Sequence, residues 1–169
     1  MVVLGAVLLA GCGGSDDRAS RSSPPRERVL VEGDASGGGH YKLALRRTPE
    51  GTCWELIQPD GSGEACGLGL GKGDAFNVAQ SGGPQREFIY GPVAQEVSRI
   101  EVKRGTRTLA STTPRREAGD ALLFFFIELS PRQKGRLVVV AYDRHGREID
   151  TFRDREPPGV DPGEPNPAG

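Results

Sequence analysis

The sequence predicts an all-β domain, an antiparallel β-sandwich, and two observations carry the prediction. Gly (25) and Pro (13) make up over a fifth of the 169 residues and cut the chain into short segments. Between them lie eight to ten short apolar or alternating runs, spaced by roughly 8–12 residues. None shows the 3.6-residue apolar period of an amphipathic helix.

The chain opens on residues 2–10, an apolar run. That is far short of the about 20 residues a membrane-spanning helix needs, but it suits the apolar core of a signal peptide. The run ends in Leu9-Ala10-Gly11-Cys12. An aliphatic residue, two small ones and a cysteine at this position resemble the lipobox of bacterial lipoproteins. The resemblance implies that residues 1–11 are a lipoprotein signal peptide and that Cys12 carries a thioether-linked diacylglycerol. It also implies cleavage between Gly11 and Cys12 and a location on the extracytoplasmic face of the cell membrane, with the membrane as partner through the anchor. Residues 12–27 hold no aliphatic side chain larger than alanine. Such a stretch cannot offset its ordering entropy by burial, so it is expected to be a disordered tether with a reach of roughly 20–25 Å.

Residues 28–152 form the predicted sandwich, enough chain for one core. Strands are expected at 28–34 and 40–47, where Tyr41, Leu43 and Leu45 alternate with Lys42, Ala44 and Arg46. The next, 52–58, carries Cys53, Trp54, Leu56 and Ile57. If Cys53 opposes Cys66, the midpoint falls between Pro59 and Asp60, the central pair that a turn with proline first would want. With Cys12 lipidated, Cys53 and Cys66 are the two remaining cysteines of an exported chain, and a disulfide between them is the natural reading. The glycine-rich stretch 65–74 is expected to be loop.

Further strands are expected at 76–80, at 87–90 closed by Gly91-Pro92, at 97–103 and at 106–111, with a turn at 81–84. Residues 121–129 are apolar at both parities, which predicts a central strand covered on both faces. Strands at 136–142 and 147–152, joined by the turn Asp143-Arg144-His145-Gly146, complete the domain, and the Pro/Gly-rich, acidic residues 153–169 read as a disordered tail. In outline the sandwich is immunoglobulin-like, and Trp54 beside a cysteine loosely resembles such domains, although their bridge joins two sheets across a longer spacing. The run from Phe88-Ile89-Tyr90-Gly91 through 97–102 to 138–146 also resembles small extracytoplasmic β domains of bacterial lipoproteins. That resemblance implies no activity and no catalytic residue.

Candidate chemistry is sparse. A net charge of −1 lacks the basic surplus of a nucleic-acid binder. His40 and His145 fall in loops, and Gly61-Ser62-Gly63 lacks the spacing of a nucleophile elbow. The glycines from Gly67 to Gly73 resemble a phosphate loop only superficially: Cys66 stands where the first glycine belongs and Gly73 where Ser or Thr belongs. Arg115-Arg116 could touch anionic headgroups or wall polymers. Asp143 and Glu148 flank a turn without pairing, and Tyr90 reads as a core residue. No cofactor, metal set or catalytic group is read. The expectation is a cell-envelope lipoprotein whose domain binds an envelope protein or wall polymer. Its rivals are a small secreted hydrolase with a dispersed active site and a structural envelope component.

Overall fold

The computed structural model describes residues 27–49, 51–83, 85–116, 122–130 and 136–154. Within them twelve strands follow in order: β1 (Glu27–Asp34), β2 (His40–Thr48), β3 (Gly51–Gln58), β4 (Gly61–Cys66), β5 (Ala79–Gly82), β6 (Glu87–Val93), β7 (Arg99–Arg104), β8 (Arg107–Thr112), β9 (Arg115–Arg116), β10 (Leu123–Leu129), β11 (Leu137–Tyr142) and β12 (Glu148–Arg153). All their pairings are antiparallel. They build three four-stranded sheets, ordered β1-β2-β3-β4, β5-β6-β10-β9 and β12-β11-β7-β8. The chain is thus all-β and sandwich-like, as the sequence predicts, with three sheets in layers.

The first sheet is a meander whose faces follow from alternation. Leu43, Leu45, Trp54 and Leu56 turn inward and are buried, while Lys42 and Arg46 turn outward and pair with Glu27 and Glu64. Gln58 pairs with Gly61, so Pro59-Asp60 is the turn, as expected. Cys53 stands directly across from Cys66 and is disulfide-bonded to it. Ala65 and Cys66, expected in a loop, instead belong to β4. The loop begins at Gly67, whose φ of 70° is left-handed.

The bridge spans 13 residues of sequence, and a loop of that size restricts the unfolded chain by roughly 3 kcal/mol. Replacing Cys53 and Cys66 together by alanine is expected to lower the unfolding free energy by about that amount. Guanidinium titration followed by far-UV circular dichroism checks this, and an unchanged midpoint would contradict it.

The second sheet is the middle layer. Phe88, Tyr90 and Phe124 pack against Val31, Leu43, Leu45, Trp54 and Leu56 of the first sheet. The alternate residues Ile89, Val93, Phe125, Ile127 and Leu129 pack against Ile100, Val102, Leu137, Val139 and Ala141 of the third. This is why β10 is apolar at both parities and why every residue of β6 is buried. Aromatic rings fill the first interface, with Tyr41 and Phe88 stacked on Phe126 at 5.2 and 5.6 Å and Trp54 tilted against Tyr90 at 6.3 Å.

Several boundaries differ from expectation. β6 runs through Gly91-Pro92 to Val93 rather than stopping at Tyr90. A Cβ on Gly91 would lie 2.1 Å from the Asn77 carbonyl oxygen, so the glycine lets residues 75–77, which run alongside β6, approach it closely there. Phe76 forms only an isolated bridge to Val93. The strand expected from 76 begins instead at Ala79 and continues through Ser81 and Gly82, where a turn was expected. Arg115-Arg116, expected in a loop, pairs with Leu123 and Phe124 at a sheet edge. Trp54 and the disulfide lie in the first sheet, so they have no part in the pairing of the other two. Glu27 opens β1 and Arg153 closes β12, one residue beyond the expected limits on each side. The expected signal segment 1–11, Cys12, the expected tether up to residue 26 and the expected tail from 155 lie outside the described residues.

The two ends of the stack differ. Glu27, Arg46, Cys53 and Cys66 share one row across the first sheet. Trp54, next to that row, meets Tyr90, while Tyr41, toward the other end, meets Phe88. The end where the chain enters the first sheet therefore lies over the Val93 end of β6. The start of β12 is there too, because the Ala75 amide donates to Asp150 Oδ2 at 3.2 Å. Glu87 and the residues across from it lie at the opposite end.

Candidate functional site

The opposite end carries a polar cleft of ≈ 320 Å³, lined by Gln80, Ser81, Gly82, Glu87 and Asp154. Its floor follows from the β6 pattern. Glu87 shares the face of Ile89 and Val93, which looks toward the third sheet, and it is 1% exposed. An isolated buried carboxylate would be very costly, and two donors meet this one. Arg104, at the end of β7, places Nη2 2.6 Å from Glu87 Oε2. Gln80, on β5, donates its amide to Oε1. Both charged side chains are more than nine-tenths buried.

The walls are fixed by backbone. Gly82 has a φ of 135°, and a Cβ there would fall 2.5 Å from the Arg86 carbonyl oxygen, so glycine is required. Asp154 is tied by its amide to the Leu137 carbonyl at 3.0 Å, and its own carbonyl accepts from Arg136 Nε at 2.9 Å. Arg86 is itself buried and joins this region to the first sheet: Nη1 donates to Gly38 O at 3.0 Å, and Nε lies 3.7 Å from Asp60 Oδ2. The cleft is lined by two carboxylates, an amide and a hydroxyl, with the Arg104 guanidinium behind Glu87, which suits hydrogen-bonded recognition of a small polar group. Ser81 Oγ accepts from Gln58 Nε2 at 3.4 Å, an amide and not a base.

The residues singled out in the sequence lie elsewhere. His40 Nδ1 is 3.6 Å from Asp34 Oδ1, but both side chains are solvent-exposed, at 60% and 95%. His145 Nε2 accepts from Arg144 Nε at 3.1 Å in the expected turn. Tyr90 is a core residue, and its burial pushes the phenol pKa up. Cys53, Glu64 and Cys66 place potential ligand atoms within 4.8 Å of one another, but the two sulfurs are joined to each other. The Gly67–Gly73 stretch is a well-tied loop: Trp54 Nε1 donates to Leu68 O at 3.0 Å and Asn77 Nδ2 to Gly69 O at 3.0 Å. On the outer face of the third sheet, Arg99 lies 4.4 Å from the centre of the Tyr142 ring, and Lys103 donates to the Tyr142 hydroxyl at 2.6 Å. Burial there acts to raise the Glu101 pKa, yet hydrogen bonds from Lys103 and Tyr142 and the nearby charges bring it below the ordinary range.

Asp143 and Glu148 stay apart in role. Asp143 Oδ1 accepts from the amides of His145 and Arg147 at 2.7 and 3.0 Å, and Oδ2 accepts from Arg147 Nε at 2.8 Å. The Arg147 amide foremost, with the guanidinium and the His145 amide, holds the carboxyl below the usual range against the effect of burial. A carboxylate with a lowered folded pKa contributes stability above its unfolded value of about 3.9. That contribution is lost as pH falls through the folded value. Asp143→Asn is expected to flatten the loss of thermal stability between about pH 5 and pH 2. Calorimetry across that range checks it, and parallel curves for the two proteins would contradict it.

Sequence reasoning missed the cleft. Glu87 was legible only as a charge opening a short apolar strand, and Arg104 only as half of an Arg-Gly turn. Nothing in their spacing of 17 residues links them; the link comes from packing β6 against β7. In comparisons with protein-family models, curated proteins and solved structures, the chain matches none.

Proposed function

We propose that the chain is a cell-envelope lipoprotein, anchored by diacylglycerol on Cys12, whose β domain is a binding module that presents the Glu87 cleft away from the membrane. The observation that carries this reading is the polarity of the stack: the chain enters the first sheet at Glu27, at the end opposite the cleft. A tether from Cys12 would then hold the cleft outward, toward an envelope protein or wall polymer. The Cys53–Cys66 bridge supports export and leaves Cys12 as the remaining cysteine of three.

The strand order also supports an immunoglobulin-like reading of the second and third sheets. With β5 through β12 taken as A, B, C, C′, D, E, F and G, the orders β5-β6-β10-β9 and β12-β11-β7-β8 become A-B-E-D and G-F-C-C′. Ile89 and Val139, on the strands that an antibody domain would join by a disulfide, are fully buried. The first sheet is then an added layer on the A-B-E-D face. Intact-mass measurement of membrane-extracted protein, with and without reductant, tests the proposal. Loss of residues 1–11, added acyl mass and a two-dalton gain on reduction are expected, and an unprocessed chain without acyl mass would refute it.

A further inference from the structure

A lone exposed leucine on a soluble surface needs no explanation. Leu70 differs because of how it is held and where. It is 39% exposed in the middle of a loop that composition alone would make floppy. Instead the Trp54 indole holds the Leu68 carbonyl and the Asn77 amide the Gly69 carbonyl. The Asp74 carboxylate closes the loop on the Gly71 amide at 2.8 Å, and the Asp74 amide returns to Gly71 O at 3.2 Å. These bonds fix the backbone on both sides of Leu70 and leave its side chain in solvent, with exposed Lys72 two residues on.

The loop's place is equally specific. Gly67 N donates to Thr52 O at 3.1 Å, next to the row that contains Glu27. The loop therefore projects from the end where the chain enters the domain. Ile149, 37% exposed, is at the same end, next to the Asp150 that holds Ala75. The charges there are mixed: Arg46 is paired with Glu64, Arg147 with Asp143 and Glu27 with Lys42, and the exposed Arg115 and Arg116 lie on the sheet edge at the Val93 end. Apolar residues held outward beside such charges suit the headgroup–acyl interface of a bilayer.

We propose that the 67–73 loop is a bilayer contact, with Leu70 entering the headgroup–acyl boundary and Ile149 beside it, which sets the orientation of the anchored domain. This rests on the lipoprotein reading above. Fourteen residues lie between Cys12 and Glu27, and a coil of that length spans roughly 20–25 Å. The loop is therefore held within reach of the surface, where even a weak apolar contact is favoured by high effective concentration.

The test uses the lipidated full-length chain reconstituted in phosphatidylcholine vesicles with brominated acyl chains. Two variants carry a reporter, Leu70→Trp at the proposed contact and Phe152→Trp near the opposite end, where Phe152 is 37% exposed. Trp54, 1% exposed in the unsubstituted chain, is accounted for by subtracting the emission of that chain in the same vesicles. Added emission from Leu70→Trp is expected to fall at least twofold relative to unbrominated vesicles, while that from Phe152→Trp does not change. Equal emission from Leu70→Trp in both vesicles, or quenching of Phe152→Trp instead, would overturn the proposal. Intact mass of the same sample separates the two readings: acylated protein without quenching removes the contact and leaves the anchor, whereas protein without acyl mass removes the anchor itself.

Discussion

Glu87→Ala is expected to destabilise the protein by about 3–5 kcal/mol, because it removes one partner of a buried ion pair. Arg104 Nη2 sits 2.6 Å from Glu87 Oε2 with both side chains nearly inaccessible, so water does not readily replace the lost partner. The Gln80 amide loses its acceptor as well. The paired replacement Glu87→Leu with Arg104→Met is expected to cost far less, since removing both charges also removes their desolvation penalty. Urea unfolding of the single and double variants measures the difference. A single variant within about 1 kcal/mol of the wild type would mean that the pair is solvated and that the floor of the cleft is not as buried as described.

This double variant also has a functional meaning. A buried ion pair gives weak evidence for stability, because an apolar pair of similar size often serves as well. On the proposed binding reading the pair would have a second role: Arg104 holds the Glu87 carboxylate, which lines the cleft, in a single orientation, as a recognition site needs. If the double variant keeps its stability and loses binding of the partner, the pair serves recognition.

Most of the architecture was legible because its signals are local. Alternation set the faces of β2 and β3, and the cross-strand position of Cys53 and Cys66 agreed with the Pro59-Asp60 turn. Apolarity at both parities in 121–129 announced a doubly covered strand, and the structure packs β10, Leu123–Leu129, between two sheets. The third layer was not legible. A sandwich of two sheets and a stack of three share the same strand patterns, and only β6 and β10 differ, by being buried on both faces. β6 was read as ending at Gly91-Pro92 because glycine and proline usually interrupt strands. Here the glycine admits the Asn77 carbonyl, and the proline lies beyond β5, whose pairing with β6 ends at Tyr90. Sites formed by distant residues, such as Glu87 with Arg104 and Trp54 with Leu68, carry no sequence signature, since each requires two elements to meet.

Trp54→Ala is expected to cost about 3–5 kcal/mol from the loss of its buried ring. The loss removes contacts with Tyr90 and Phe124 and orphans the Leu68 carbonyl that its indole holds. Trp54→Phe refills part of the space but cannot donate that hydrogen bond, so it is expected to cost about 1–3 kcal/mol. Thermal unfolding followed by circular dichroism ranks the two, and a Trp54→Phe variant as stable as the wild type would mean that the loop bond contributes nothing. Trp54 is also the single tryptophan of the chain, so its emission reports on the first interface alone. Neighbouring residues of β6 serve both cores, Phe88 and Tyr90 on one face and Ile89 and Val93 on the other. Lifting the first sheet would expose Phe88, Tyr90 and Phe124 to water at once. The wild-type transitions seen by Trp54 emission and by far-UV circular dichroism should therefore coincide as one cooperative step. Two separated midpoints would mean that the first sheet melts from a two-sheet sandwich that stands without it.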